Sequence, residues 1–95
     1  MTSLEKARAE IQKIDKEIVA LIAKRTNMAD SILRGKREVD ISINDDEQNK
    51  IVLSRAVDYA TEKNLDAGAV RRIFEILIEM NIARQHELHG EGNLP

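Results

Sequence analysis

LEKARAEIQKIDKEIVALIAKRTNMADSILRGK, residues 4–36, carries the reading of this chain. Steps of three and four residues place Leu4, Ala7, Ile11, Ile14, Ile18, Leu21, Arg25, Met28 and Ile32 on one line. That spacing predicts an amphipathic helix with a coiled-coil-like seam. Its length, roughly 50 Å at 1.5 Å per residue, exceeds what a compact chain of this size accommodates, since such a chain has a radius of gyration of about 13 Å. The seam is therefore expected to need a second copy of the chain. Arg25 interrupts the apolar line between Leu21 and Met28. A buried guanidinium is costly unless an anion or a carboxylate meets it.

The chain has 95 residues, the size of one domain. It has one Phe, one Tyr and no Trp, and its dominant residues favour helices over strands. Its 15 basic and 17 acidic residues give a net charge of −2, without the basic footprint of a nucleic-acid binder. The absence of cysteine excludes disulfides, thiolate metal sites and a cysteine nucleophile. Residues 1–6 lack the apolar run of a signal peptide, and no run approaches membrane-spanning length, so a soluble cytoplasmic protein is expected.

Ser3 is the expected N-cap of helix 1, without a capping box because Lys6 stands three residues on. The helix should end between Gly35 and Glu38. Val39 to Asn44 reads as an extended connection with Ile41 and Ile43 on the core. Asn44-Asp45-Asp46 starts a second helix from Asp46 to about Lys63, burying Ile51, Val52, Ala56, Tyr59 and Ala60 and stopping at Asn64. Asp66 caps a third helix running to about Leu88, with Val70, Ile73, Phe74, Leu77 and Ile78 as its apolar face. The expected fold is all-α: a long helix 1, then two shorter helices, in an intertwined dimer. Residues 1–88 form the domain and residues 89–95 a flexible tail.

Polar residues on apolar faces are the functional candidates. Lys36 lies three turns beyond Arg25 on nearly the same face. Asn81 and Gln85 stand one turn apart on the core face of helix 3. Together these four would make an anion-binding pocket with hydrogen-bonding walls. Singly, each has a structural alternative: an ion pair for Arg25, a register-setting role for Asn81, a solvent-reaching helix end for Lys36. Arg8, about 100° round the helix from Arg25, cannot easily join that pocket from its own chain. His86 and His89 lack metal-site spacing, Gly35-Lys36 is no phosphate loop, and no serine has a partner histidine in triad relation.

From Leu4 to Leu88 the chain resembles the all-helical (type II) class of chorismate mutase, as a monofunctional member. The residues that carry the resemblance are Arg8-(x)2-Ile11-(x)2-Ile14-Asp15, Leu21-Ile22-Ala23-Lys24-Arg25, Lys36, Ile43-Asn44-Asp45, Leu65-Asp66 and Ile73-Phe74-Glu75-Ile76-Leu77-Ile78-Glu79, followed by Asn81 and Gln85. The resemblance implies a homodimer in which crossing first helices build two sites, each taking Arg8 from the partner. It implies that Arg25 binds a substrate carboxylate and that Lys36 contacts the ether oxygen and a carboxylate. Gln85 would bond the same ether oxygen, Asn81 would sit at the carboxylate site, and Asp45 near the substrate hydroxyl. The implied reaction is the Claisen rearrangement of chorismate to prephenate in phenylalanine and tyrosine biosynthesis, without metal or cofactor. One departure stands out: where the family usually has Arg-Glu, this chain has Gln48-Asn49. The pair removes a cation and replaces a carboxylate acceptor with a neutral amide, which predicts weaker affinity or turnover. The alternatives are an isochorismate pyruvate-lyase on the same fold and a non-catalytic helical dimerisation or regulatory module.

Overall fold

The computed structural model describes residues 1–90. Four helical segments follow one another: α1 (Ser3–Asn27), α2 (Ala29–Glu38), α3 (Asp46–Glu62) and α4 (Ala67–Leu88), with no strand among the described residues. The α1 and α2 segments together make the expected long first helix, separated only by Met28. The Met28 ψ of −9° is well short of the helical value, and its N–H bonds back three residues to the Arg25 carbonyl at 3.2 Å. Helical bonding resumes at once, with Ile32 N–H donating to the Met28 carbonyl at 3.0 Å.

The N-cap of α1 is Thr2, not Ser3, and it does form a capping box: Thr2 Oγ1 accepts from Glu5 N–H at 3.1 Å while the Glu5 carboxylate faces the Thr2 backbone. The later boundaries follow the sequence signals. Asp45 and Asp66 cap α3 and α4 by accepting from Gln48 N–H and Ala69 N–H. Asn64 closes α3 in the left-handed region (φ 57°), and Leu65 N–H then reaches back to the Ala60 carbonyl at 2.9 Å. Asp40 (φ 56°) closes α2 in the same way, with Ile41 N–H on the Lys36 carbonyl at 2.9 Å.

Helix α4 is the hub. It packs on α1, α2 and α3, whereas α3 packs on α4 alone among the described residues. A cleft therefore stays open between the α1–α2 wall and α3, with α4 as its floor. The core at that hub is small: Ala29, Leu33, Ala56, Ala60 and Ile78, with Asn81 and Gln85 buried beside them. Several residues expected on the core are exposed, including Ile41, Ile51, Tyr59 and Ile73. With only α4 to pack on, α3 buries a narrow stripe centred on Ala56 and Ala60, and Ile51 and Tyr59 fall outside it.

No residue of helix α1 is fully buried within the chain. Leu4, Ile11, Ile14, Ile18 and Leu21 are each 45% to 64% exposed. The chain is correspondingly elongated, 55 × 32 × 20 Å, with a radius of gyration of 16.9 Å. Among the described residues, no helix is long and apolar enough to cross a membrane. The chain past Leu88 makes a turn, in which His89 N–H donates to the Gln85 carbonyl at 2.9 Å. Most of the expected flexible tail, residues 91–95, lies outside the described residues.

Candidate active site

The cleft between α1–α2 and α3 has a volume of about 320 Å³. Arg25 enters it from the end of α1 and Lys36 from the end of α2. Asp45, Gln48 and Asn49 enter from the start of α3, and Asn81 and Gln85 rise from the α4 floor. Seven residues singled out in the sequence thus meet in one place. Arg8 does not line this cleft and stays exposed on α1.

A chain of hydrogen bonds crosses the floor. Asn81 Nδ2 donates to the Arg25 carbonyl at 2.9 Å. Gln85 Nε2 donates to Asn81 Oδ1 at 2.7 Å. Lys36 Nζ donates to Gln85 Oε1 at 3.0 Å and also to the Ile43 carbonyl. The i, i+4 spacing puts Asn81 and Gln85 one above the other on α4, and burial makes their full pairing necessary. The Asn81 bond also accounts for the discontinuity at Met28. The Arg25 carbonyl is drawn toward an amide from another helix, and a side chain entering the backbone ladder distorts it locally.

Arg25 is fixed from both ends. Its Nη1 donates to the Leu77 carbonyl at 3.0 Å, while its own carbonyl receives Asn81. Its guanidinium also lies 5.9 Å from the centre of the Phe74 ring. These contacts hold the side chain in place and leave further N–H groups of its fork for a ligand. Lys36 has three N–H donors, and two are committed to Ile43 and Gln85. The third, like the second N–H of the Gln85 amide, remains for a group inside the cleft.

The electrostatics favour an anion. Burial lowers the Arg25 pKa from its ordinary value, and the nearby Arg55 charge lowers it further. A guanidinium nevertheless stays charged at any ordinary pH. Burial lowers the Lys36 pKa as well, and Asp45 partly opposes that shift. Among the described residues, the ion pairs lie elsewhere, on exposed helix faces. At the start of α3, Asn49 Nδ2 donates to Asn44 Oδ1 at 3.2 Å, leaving its carbonyl oxygen as the acceptor it can offer.

Arg55 is a charged residue of the cleft beyond those singled out in the sequence. Its signal was present: Asp45, Gln48, Val52 and Arg55 follow one another at steps of three, four and three residues, one stripe of a helix. Met28, Ile32, Val52, Ile78 and Ile82 give the cleft its apolar walls.

A sequence profile described as chorismate mutase type II matches residues 7–86. The chain belongs to that family. It is 37% identical over 84 residues to the chorismate mutase of Methanocaldococcus jannaschii, a match covering 88% of this chain and 85% of that protein. It is 35% identical over 81 residues to a bifunctional chorismate mutase/prephenate dehydratase of Buchnera aphidicola, and 26% identical over 81 residues to the bifunctional protein of Escherichia coli K12. Each of those two matches covers 85% of this chain but 21% of the bifunctional protein. Membership of this all-helical family agrees with the fold and with the residues gathered in the cleft.

Proposed function

We propose that the chain is a chorismate mutase that rearranges chorismate to prephenate in the aromatic amino acid pathway. The observation that carries the reading is the gathering of Arg25, Lys36, Asn81 and Gln85, joined by hydrogen bonds, in the cleft of a family member. The reaction is internal to the substrate. The ether C–O bond breaks as a C–C bond forms, and no proton, electron pair or group leaves the molecule. The protein must therefore hold the flexible dianion in its reactive shape and present fixed donors where charge develops, on the ether oxygen.

Arg25 binds a carboxylate with the outward part of its fork. The remaining N–H of Lys36 and that of Gln85 meet the ether oxygen. Their other bonds hold these donors in position before substrate arrives, so little reorganisation accompanies the reaction. Asn81 acts on Arg25 and Gln85 from beneath, and Asp45 and Asn49 face the substrate hydroxyl. Gln48 and Asn49 supply neutral groups only, which weakens binding at their end of the cleft.

A homodimer completes the site in this reading. The exposed line from Leu4 to Leu21 is the surface a second copy covers, and Arg8 on that helix reaches the partner's cleft to bind the second carboxylate. A cytoplasmic location belongs to the same proposal. Purified protein alone should consume chorismate saturably and form prephenate in equal amount. No turnover above the spontaneous rate at millimolar substrate would overturn the reading, and release of pyruvate from isochorismate would assign the lyase instead.

A further inference from the structure

Arg55 lines the cleft but has no part in the hydrogen-bond chain that fixes Lys36, Gln85, Asn81 and Arg25. It stands on the α3 wall, on the stripe that also carries Asp45 and Gln48, while Arg25 stands on the α1 wall. The two are close enough for the Arg55 charge to act on Arg25. Like charges brought together across a cleft disfavour each other unless an anion lies between them. Neither guanidinium has a carboxylate within 4.0 Å among the described residues, whose ion pairs all involve other cations. The opposite end of the cleft is different: there Lys36 already has Asp45 as a nearby countercharge and Gln85 as a hydrogen-bond partner. Positive charge in excess is thus concentrated at the Arg25–Arg55 end.

We propose that Arg55 is a substrate-binding residue, meeting from the α3 wall the same chorismate carboxylate that Arg25 meets from the α1 wall. The inference rests on the chorismate mutase reading and adds to it a two-arginine carboxylate site. Two planar forks approaching from opposite walls bind more tightly than one, and they select a ligand with a carboxylate at that end. Arg55 lies about 15 Å along α3 from Asp45, the residue whose charge acts on Lys36, so it serves the carboxylate and not the ether oxygen, and its contribution is the same in the ground and transition states. It acts on KM and not on kcat.

The test compares wild type, Arg55→Gln and Arg55→Lys with chorismate, and with each of its two mono-methyl esters as competing ligands. Arg55→Gln should raise KM about tenfold with kcat within a factor of about two, and Arg55→Lys should fall between. One of the two esters should bind wild type and Arg55→Gln equally, because the carboxylate that Arg55 meets is already blocked; the other should still lose affinity in the variant. If wild type turns over chorismate and Arg55→Gln matches its KM, the inference fails while the mutase reading stands. A fall in kcat and helicity at unchanged KM, or equal losses for both esters, assigns Arg55 to the fold and also overturns it. If wild type turns over no chorismate, the underlying reading fails and this inference fails with it.

Discussion

Lys36 Nζ donates to Gln85 Oε1 at 3.0 Å, joining the end of α2 to the end of α4 across 49 residues of sequence. The bond turns the amide carbonyl of Gln85 toward the ammonium and its amino group toward Asn81. Two donors are thereby fixed side by side in the cleft. Neither has an alternative orientation that keeps the buried amides paired.

Lys36→Ala removes one of the two donors to the ether oxygen. The expected loss is about 10²- to 10³-fold in kcat, with a smaller change in KM. The substitution also leaves Gln85 Oε1 without its donor, which costs about 1–3 kcal/mol of stability. Steady-state kinetics and thermal unfolding on the same preparation separate the two effects. Retention of wild-type kcat would remove Lys36 from the mechanism.

The ammonium form of Lys36 is the active one, so activity should fall as pH rises through its pKa. Burial holds that pKa below the ordinary value of 10.5, and the alkaline limb of kcat/KM should therefore lie below that of free lysine. Bound dianion favours the charged form, so the limb in kcat should lie at higher pH than the limb in kcat/KM. The stability sign is the reverse. A lysine whose folded pKa is lowered makes the protein more stable as pH rises between the folded and unfolded values. A limb at or above pH 10.5 in the free enzyme would contradict the environment described for Lys36.

Asn81→Ala severs the donor to the Arg25 carbonyl and the acceptor for Gln85 in one step. Stability should drop by about 1–3 kcal/mol, the cost of a buried polar group left unpaired. That corresponds to a Tm decrease of about 4–8 °C per kcal/mol for a domain of this size. Because the Asn81 bond distorts the first helix, the variant should also regularise hydrogen bonding around Met28, read as slower amide exchange there. An unchanged exchange rate at Met28 and Ala29 would dissociate Asn81 from the break.

Arg8→Ala and Lys36→Ala, each inactive alone, should complement when mixed and allowed to exchange chains. In a heterodimer one site receives Arg8 from one chain and Lys36 from the other, while the second site lacks both. Random pairing at equal amounts gives about a quarter of wild-type activity for a two-fold symmetric dimer. If mixing restores nothing while chain exchange is verified, Arg8 does not serve a partner's site.

The helices were legible because their determinants are local. A 3-4 spacing runs through α1, and Asp45 and Asp66 stand where α3 and α4 start. Thr2 was legible too, since Thr2 and Glu5 have capping-box spacing, but the adjacent Ser3 is an equally good cap residue by type, and Lys6, three residues beyond it, cannot complete a box. The break at Met28 was not legible, because its cause is the side chain of Asn81, 56 residues from Arg25. Exposure of Ile51, Tyr59 and Ile73 was equally beyond reach: an apolar face declares that it wants cover, not which chain supplies it. Arg25, Lys36, Asn81 and Gln85 were found because each is polar on an apolar face. Arg55 was missed because an arginine on a helix with many charges looks like surface until its neighbours in the stripe are seen to face a cleft.

The first helix passes through Met28 without a loop, and this constrains how the chain can vary in length. Arg25 and Lys36 keep their relative angle only because eleven residues separate them, close to three full turns. One residue gained or lost at Met28 would rotate α2 about 100° against α1, carrying Lys36 away from Gln85 while every helix remained intact. The connection of residues 39–45 has no helical phase to preserve, and what it must keep is the reach of the Ile43 carbonyl to Lys36. Within this architecture, a length change between the two cations turns both Lys36 and the buried Ala29 and Leu33 away from α4, whereas one beyond α2 leaves the phase between Arg25 and Lys36 untouched.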